Sequence, residues 1–266
     1  MSHRQHAFAL SYYNKSIGLY DATEARWAGQ TMQADSPEQE RALRTGYFKE
    51  AAFNGLLLSY TAGEPIGSLV GRLEKLIHCY EVYQQALAVE ENTPDISPLA
   101  IDDWPGEYEE CVQVISLCIL LQRTDLLERF VRLIDNAGYA HEDTLYEDLL
   151  CKLLPGRGDI DEWYHTLYTP LINAIYADTP QASAALLKQY CKAWYPAFKG
   201  LQVSGYDSHL EIEEDDGNYV GYWAFEAAAI AFLYRIDDRE VDSHVYPKDL
   251  VAYARTQSGS ERQNDQ

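Results

Sequence analysis

The chain is poor in positive charge. Its 266 residues carry 21 Lys and Arg against 42 Asp and Glu, a formal net charge of −21. A field of that sign repels phosphate backbones, which argues against direct binding of DNA or RNA and favours basic proteins as partners. Cysteine is sparse and odd in number: Cys79, Cys111, Cys118, Cys151 and Cys191, with no C-x-x-C pair. That pattern argues against a disulfide framework and for reduced cytoplasmic thiols. Cys111 and Cys118 stand seven apart on one helix face, where a buried apolar role outweighs metal binding. The first residues include His3, Arg4 and His6 but no continuous apolar core of a secretion signal. No apolar run reaches membrane-spanning length without polar interruption.

Catalytic signatures are also missing. The seven histidines are scattered, and His141-Glu142-Asp143 reads as an acid-rich helix start rather than part of a metal cluster. Gly156-Arg157-Gly158 lacks the Lys-Ser/Thr ending of a phosphate-binding loop, and no Ser or Cys sits in a recognisable nucleophile motif. The expectation is a protein without catalytic residues, metal or cofactor.

What is present is helical periodicity, with 47% hydrophobic residues and no strand-type alternation. Helices are expected within 4–31, over 36–60, 65–89, 107–121, 124–136, 142–153 and 180–195, and near 160–177 with a bend at Pro170. Ser36-Pro37-Glu38-Gln39 supplies a cap, a first-turn Pro and an N3 Gln, and Gly63 stops the helix that follows. Leu43, Tyr47, Ala51 and Leu58 are among its apolar positions. Residues 90–106, with Pro94, Pro98 and Pro105, form the longest loop, and 200–217 a second acidic connection. The fold class is all-α, a multi-helix bundle-like fold. A smaller N-terminal helical part (1–123) would pack on a C-terminal helical domain (124–256), followed by a frayed polar tail (257–266).

The acidic charge is uneven. Between Lys75 and Arg123 there is no Lys or Arg, yet this interval holds Asp102, Asp103, Glu107, Glu109 and Glu110 beside Trp104 and Tyr108. Between Lys199 and Arg235 the same holds, with Glu211, Glu213, Glu214, Asp215 and Asp216. Carboxylates beside aromatic rings suit an interface, where charge steers a basic partner and the ring supplies buried area. The competing reading is two solvated loops. Glu211–Asp216 lacks the oxygen spacing of a calcium loop.

Near the end, residues 221–236 read as a helix apolar on nearly every side, which belongs in a core. Glu226, the carboxylate that interrupts the run, is expected to be buried and hydrogen-bonded, since an unpaired buried carboxylate is costly. Pro247 then suits the first turn of a short helix with Asp249 near its positive end.

Gly221-Tyr222-Trp223-Ala224-Phe225-Glu226-Ala227-Ala228-Ala229, Ile236-Asp237-Asp238 and Tyr246-Pro247-Lys248-Asp249-Leu250-Val251 together resemble the C-terminal domain of PoNi-like immunity proteins. A second likeness, to that family's N-terminal helical domain, lies at Tyr60–Ile66. The resemblance implies a helical inhibitor of a PoNe-type nuclease toxin delivered between competing bacteria. Tyr222, Trp223, Phe225, Glu226, Tyr246 and Pro247 would then be scaffold residues. The two acidic clusters would be candidates for toxin binding. From the residues alone, an acidic helical adaptor for another basic protein, or a hydrolase of unfamiliar motif, remain alternatives.

Overall fold

The computed structural model describes residues 4–5, 8–199, 201 and 205–264, without the side chains of 260–264. Its regular structure is helical: α1 (Leu10–Asp21), α2 (Thr23–Trp27), α3 (Pro37–Ala62), α4 (Leu69–Glu90), α5 (Pro105–Leu120), α6 (Thr124–Ile134), α7 (Thr144–Leu150), α8 (Thr169–Ile175), α9 (Pro180–Ala197), α10 (Phe225–Leu233) and α11 (Lys248–Asn264). The fold is all-α; among the described residues the β-type pairing is one isolated bridge between Glu213 and Asp216. Contacts divide the chain into two units. The first takes the described residues through Pro98, with Arg132–Ala137 and Gly205–Gly221; the second takes the remainder. Residues 99–123 thus group with the later helices, not with the N-terminal part to which the sequence division at 123 assigns them.

In the first unit, α3 begins as its sequence dictates. Ser36 Oγ accepts from the Gln39 amide at 3.0 Å, Gln39 Oε1 accepts from the Asp35 amide at 2.7 Å, and Pro37 occupies the first turn, where no amide donor is needed. The helix ends where Gly63 adopts φ 91°, a left-handed cap that costs a residue without Cβ little. The chain then reverses into α4, and the two helices form a hairpin. Leu56, Leu58 and Tyr60 of α3 and Leu69, Leu73, Leu76 and Tyr80 of α4 are buried. Leu43 and Tyr47 are exposed, although they fit the same apolar pattern; Tyr47 stacks on Trp27 at 6.1 Å. The segment 205–221 is held by hydroxyls from α1 and α3. Tyr12 Oη donates to the Tyr219 carbonyl at 2.7 Å, and Thr61 Oγ1 to the Val220 carbonyl at 2.5 Å.

In the second unit, α10 is the hub, packing against α5, α7, α9 and α11. Phe225 through Ala231 are all buried. Ala227, Ala228, Ala229 and Ala231 leave room for neighbouring backbones to approach, and Leu117, Cys118 and Leu120 of α5 are buried in the same unit. Ala228→Leu is therefore expected to overpack this site and destabilise the protein by about 1–3 kcal/mol. A denaturant midpoint equal to wild type would show that the hub has slack.

Three boundaries differ from the sequence reading. The apolar run gives a helix of nine residues, not one beginning at 221. Gly221 sits at φ 110°, and the Ala224 amide donates to the Val245 carbonyl at 2.9 Å, so the chain enters α10 extended. Pro170 lies in the first turn of α8, so it starts that helix instead of bending a longer one. Beyond Arg255, where the sequence suggests a frayed tail, α11 continues as helix to Asn264, and residues 265–266 lie outside the described residues. Ser258 Oγ donates to Gln122 Oε1 at 2.9 Å, and extending an existing helix costs far less than nucleating one.

Candidate protein-binding face

The first acidic cluster lies where the loop before α5 turns into the helix. Trp104 occupies the N-cap position and Pro105 the first turn. Asp102, Asp103 and Trp104 are exposed, the Trp104 side chain to 49%. Three contacts hold this corner. His165 Nε2 donates to the Ile101 carbonyl at 2.7 Å, Tyr139 Oη donates to Asp102 Oδ1 at 2.7 Å, and the Glu107 carboxylate accepts from the Ala100 amide. Glu107 is thus half-buried and occupied, while Glu110 is half-buried on the next turn.

Two expected contact residues require correction. Tyr108 is 1% exposed and Glu109 9%, so neither offers a surface. Trp104 is the N-cap, with extended backbone at φ −115° and ψ 109°, so it stands outside the helical turn and faces solvent, whereas Tyr108 lies within α5 and points into the core. Its hydroxyl donates to Asp143 Oδ1 at 2.6 Å, and Asp143 in turn caps α7 through the Tyr146 amide at 2.8 Å. Tyr108 is a structural link between α5 and α7. Burial and the adjoining Asp143 carboxylate push its phenol well above the ordinary range.

Residues distant in sequence complete the corner. Tyr164 meets Tyr139 edge-on at 6.3 Å and Tyr108 at 6.5 Å. Its phenol is pushed up to about 12, first by burial and then by the negative charges of Glu142, Asp102 and Asp143. Those carboxylates therefore converge on one aromatic group. The resulting surface joins exposed Asp102, Asp103, Trp104 and Glu142 with half-buried Tyr139 and Tyr164. Sequence reading missed Tyr139 and Tyr164 because they follow a different helix and a different loop. Their one visible signal is aromatic density beside acids, as at Trp104.

The second cluster belongs to the first unit. Glu211, Glu213, Glu214 and Asp216 are exposed and Asp215 half-buried. Glu213 and Asp216 exchange backbone hydrogen bonds at 3.0 and 2.8 Å, which places Glu214 and Asp215 at the tip of a tight turn. Charge compensation absent along the sequence is supplied in space: Lys15 Nζ stands 3.2 Å from Asp215 and 3.7 Å from Asp216. Glu211, Glu213 and Glu214 have no ion pair among the described residues. Neither cluster has metal-binding geometry; among the described residues no group of three or more His, Cys, Asp or Glu could hold an ion.

Of the C-terminal motif residues, Trp223, Phe225, Glu226, Tyr246 and Pro247 are buried and Tyr222 is half-buried. Trp223 stacks on Phe225 at 6.1 Å, and Tyr222 meets Tyr195 at 4.8 Å. Tyr246 donates to Asp238 Oδ2 at 2.8 Å, and the Pro247 carbonyl accepts from the Leu250 and Val251 amides that open α11. Glu226 is completely buried. Its Oε1 accepts from Tyr190 Oη and Trp194 Nε1, both at 2.8 Å, while Oε2 has no partner. Desolvation raises its pKa to about 7, against the opposing effect of those two donors. Glu109 is likewise held well above the ordinary carboxylate range, first by burial and then by the charge of Glu226.

At this corner of an acidic, all-helical protein, exposed carboxylates adjoin aromatic rings. Residues 141–250 match the family model for PoNe immunity proteins (PoNi), C-terminal, so this part of the chain is PoNi-like. The match supports an immunity-protein role and a PoNe-type toxin as partner in general terms. It includes the motif around α10 and leaves Tyr60–Ile66 and the Asp102–Glu110 corner outside. Among solved structures, the crystal structure of protein PA2201 from Pseudomonas aeruginosa is similar, with a TM-score of 0.73 and 22% identity over 97% of this chain and 92% of that one. That likeness concerns the fold alone. No curated protein matches. No helix of the described residues is long and apolar enough to cross a membrane.

Proposed function

We propose that this chain is a cytoplasmic immunity protein that binds a cognate PoNe-type DNase toxin and masks its basic nucleic-acid-binding or active face. The observation that carries the reading is the corner at the start of α5. There the exposed carboxylates of Asp102 and Asp103, in a segment without Lys or Arg, and that of Glu142 adjoin Trp104, Tyr139 and Tyr164. Charge would draw the toxin's basic surface in, and the rings would then bury apolar area and slow release. Carboxylates held against the toxin's cations would compete with DNA phosphate for the same groups. Glu107 and Glu110 would add field from the rim. Glu211, Glu213 and Glu214, with Asp215 and Asp216 behind them, form the second candidate surface.

The test is to co-purify the chain with the product of the adjacent gene and to measure DNA cleavage with and without the chain. The expected result is a stable complex and cleavage that falls as the chain approaches an equimolar ratio. A complex that still cleaves DNA would favour the adaptor reading, and the absence of any complex would overturn the proposal.

A further inference from the structure

The second unit contains a surface cleft of about 830 Å³ beside the C-terminal end of α10. In a chain of net charge −21, four cations line it: Lys152, Arg235, Arg239 and Arg255. Its two lining carboxylates are already engaged. Asp237 pairs with Arg239 at 2.6 Å, and Asp238 accepts from Arg255 at 2.9 Å. Two positive charges remain. Lys152 lies over the Tyr234 ring at 5.0 Å and is near enough to Asp148 to feel its charge, but forms no ion pair at salt-bridge distance among the described residues. Arg235 is exposed and has neither a hydrogen bond nor an ion pair among the described residues.

A second observation concerns the backbone. Arg235 sits at φ 56°, in the left-handed turn that closes α10, where the Ile236 amide donates to the Ala231 carbonyl at 3.1 Å. Glycine is the residue such a turn favours, and a side chain there strains the backbone. Here the strained position carries a long cation with no hydrogen-bond or ion-pair partner among the described residues. A basic residue near a helix C-terminus also complements the helix dipole, so the structural and the ligand-binding accounts have to be separated by experiment.

The cleft lining is not uniformly polar. Ile119, Leu153, Phe232 and Leu233 share it with the cations. Its volume is that of a small-molecule site and exceeds what a bare inorganic anion fills. A guanidinium presents paired N–H donors matched to phosphate oxygens, and an ammonium adds a point charge. We infer that this cleft binds a phosphate monoester carrying an apolar or aromatic body, with Arg235 and Lys152 taking the dianionic phosphate and the apolar lining taking the body. The overall field of the protein repels anions, so specific binding would have to come from these local charges.

Calorimetry on the full chain at low salt, with phenyl phosphate and inorganic phosphate as probes, tests the inference. Phenyl phosphate is expected to bind at least about tenfold more tightly than inorganic phosphate, through burial of its ring. Arg235→Gly and Lys152→Gln should each weaken phenyl phosphate by about tenfold, the cost of one charge-assisted contact. Arg235→Gly should at the same time keep or raise the denaturant midpoint, because glycine suits that turn. A fallen midpoint with unchanged binding would assign Arg235 to the helix end and overturn the inference. So would no binding of phenyl phosphate at millimolar concentration, or equal affinity for the two probes. Lys152→Gln, which leaves the residue at the strained turn unchanged, decides the matter if the glycine variant does not fold. The experiment needs no toxin, so its failure leaves the immunity reading untouched.

Discussion

Exchanging Asp102 and Asp103 for Lys should slow association with the cognate nuclease by about tenfold or more at low salt, while dissociation changes little. Both side chains are exposed and stand before α5 in a stretch without Lys or Arg, so their field reaches an approaching basic surface. At high salt the Debye length shrinks to a few ångströms and the deficit should narrow. Trp104→Ala should act on the other rate. A ring 49% exposed in the free protein contributes little to folding but can bury its face against a partner. Its loss should therefore speed dissociation, by up to about thirtyfold if the ring is a central anchor of the interface. Tyr108→Phe supplies the contrast. It deletes the bond to Asp143 inside the unit, so it should lower stability and leave association unchanged. Binding kinetics at two salt concentrations, with circular dichroism to confirm folding, separate these outcomes. A folded double reversal that associates and protects as well as wild type would reduce the corner to a solvated surface. Attention would then pass to Glu211, Glu213 and Glu214.

The helices were legible because their signals are local. Ser36 with Pro37 opens α3, Gly63 ends it, and Thr179 with Pro180 opens α9, where Thr179 Oγ1 accepts from the Ala182 amide. The length of α10 was not legible, because its start is set by the Ala224–Val245 hydrogen bond between segments far apart in the chain. The candidate face was legible in charge but not in geometry. Trp104 and Tyr108 look equivalent in sequence, yet the extended N-cap leaves the first in solvent while the helix carries the second against Asp143. Lys15 neutralises part of the second cluster from 200 residues away. Glu226 was legible as a buried, hydrogen-bonded carboxyl because an apolar helix leaves it nowhere else to go. That Glu109 joins it in the core was hidden among the surface acids beside it.

Wild-type stability should fall as pH rises from about 5 to 8, and Glu226→Gln should remove a large part of that fall. The sign follows from linkage. Glu226 has its pKa raised from 4.5 to about 7 in the folded protein, so between those values the folded state binds more protons than the unfolded state. Its contribution is most favourable below the unfolded pKa, declines through the window, and settles above pH 7 at a penalty of about 3 kcal/mol for ionising a buried group. Glu109, shifted in the same direction, adds to the decline. Gln at 226 cannot ionise, and its carbonyl oxygen can still accept from Tyr190 and Trp194. Ala at 226 strands both donors and should lose about 1–3 kcal/mol even at pH 5. The rise in net negative charge with pH also destabilises a protein of this composition, but it acts on wild type and Glu226→Gln alike. The informative quantity is therefore the difference between their denaturant midpoints at pH 5 and pH 8. Should that difference be the same at both values, Glu226 does not titrate in the window, and the buried carboxyl is held in one protonation state throughout.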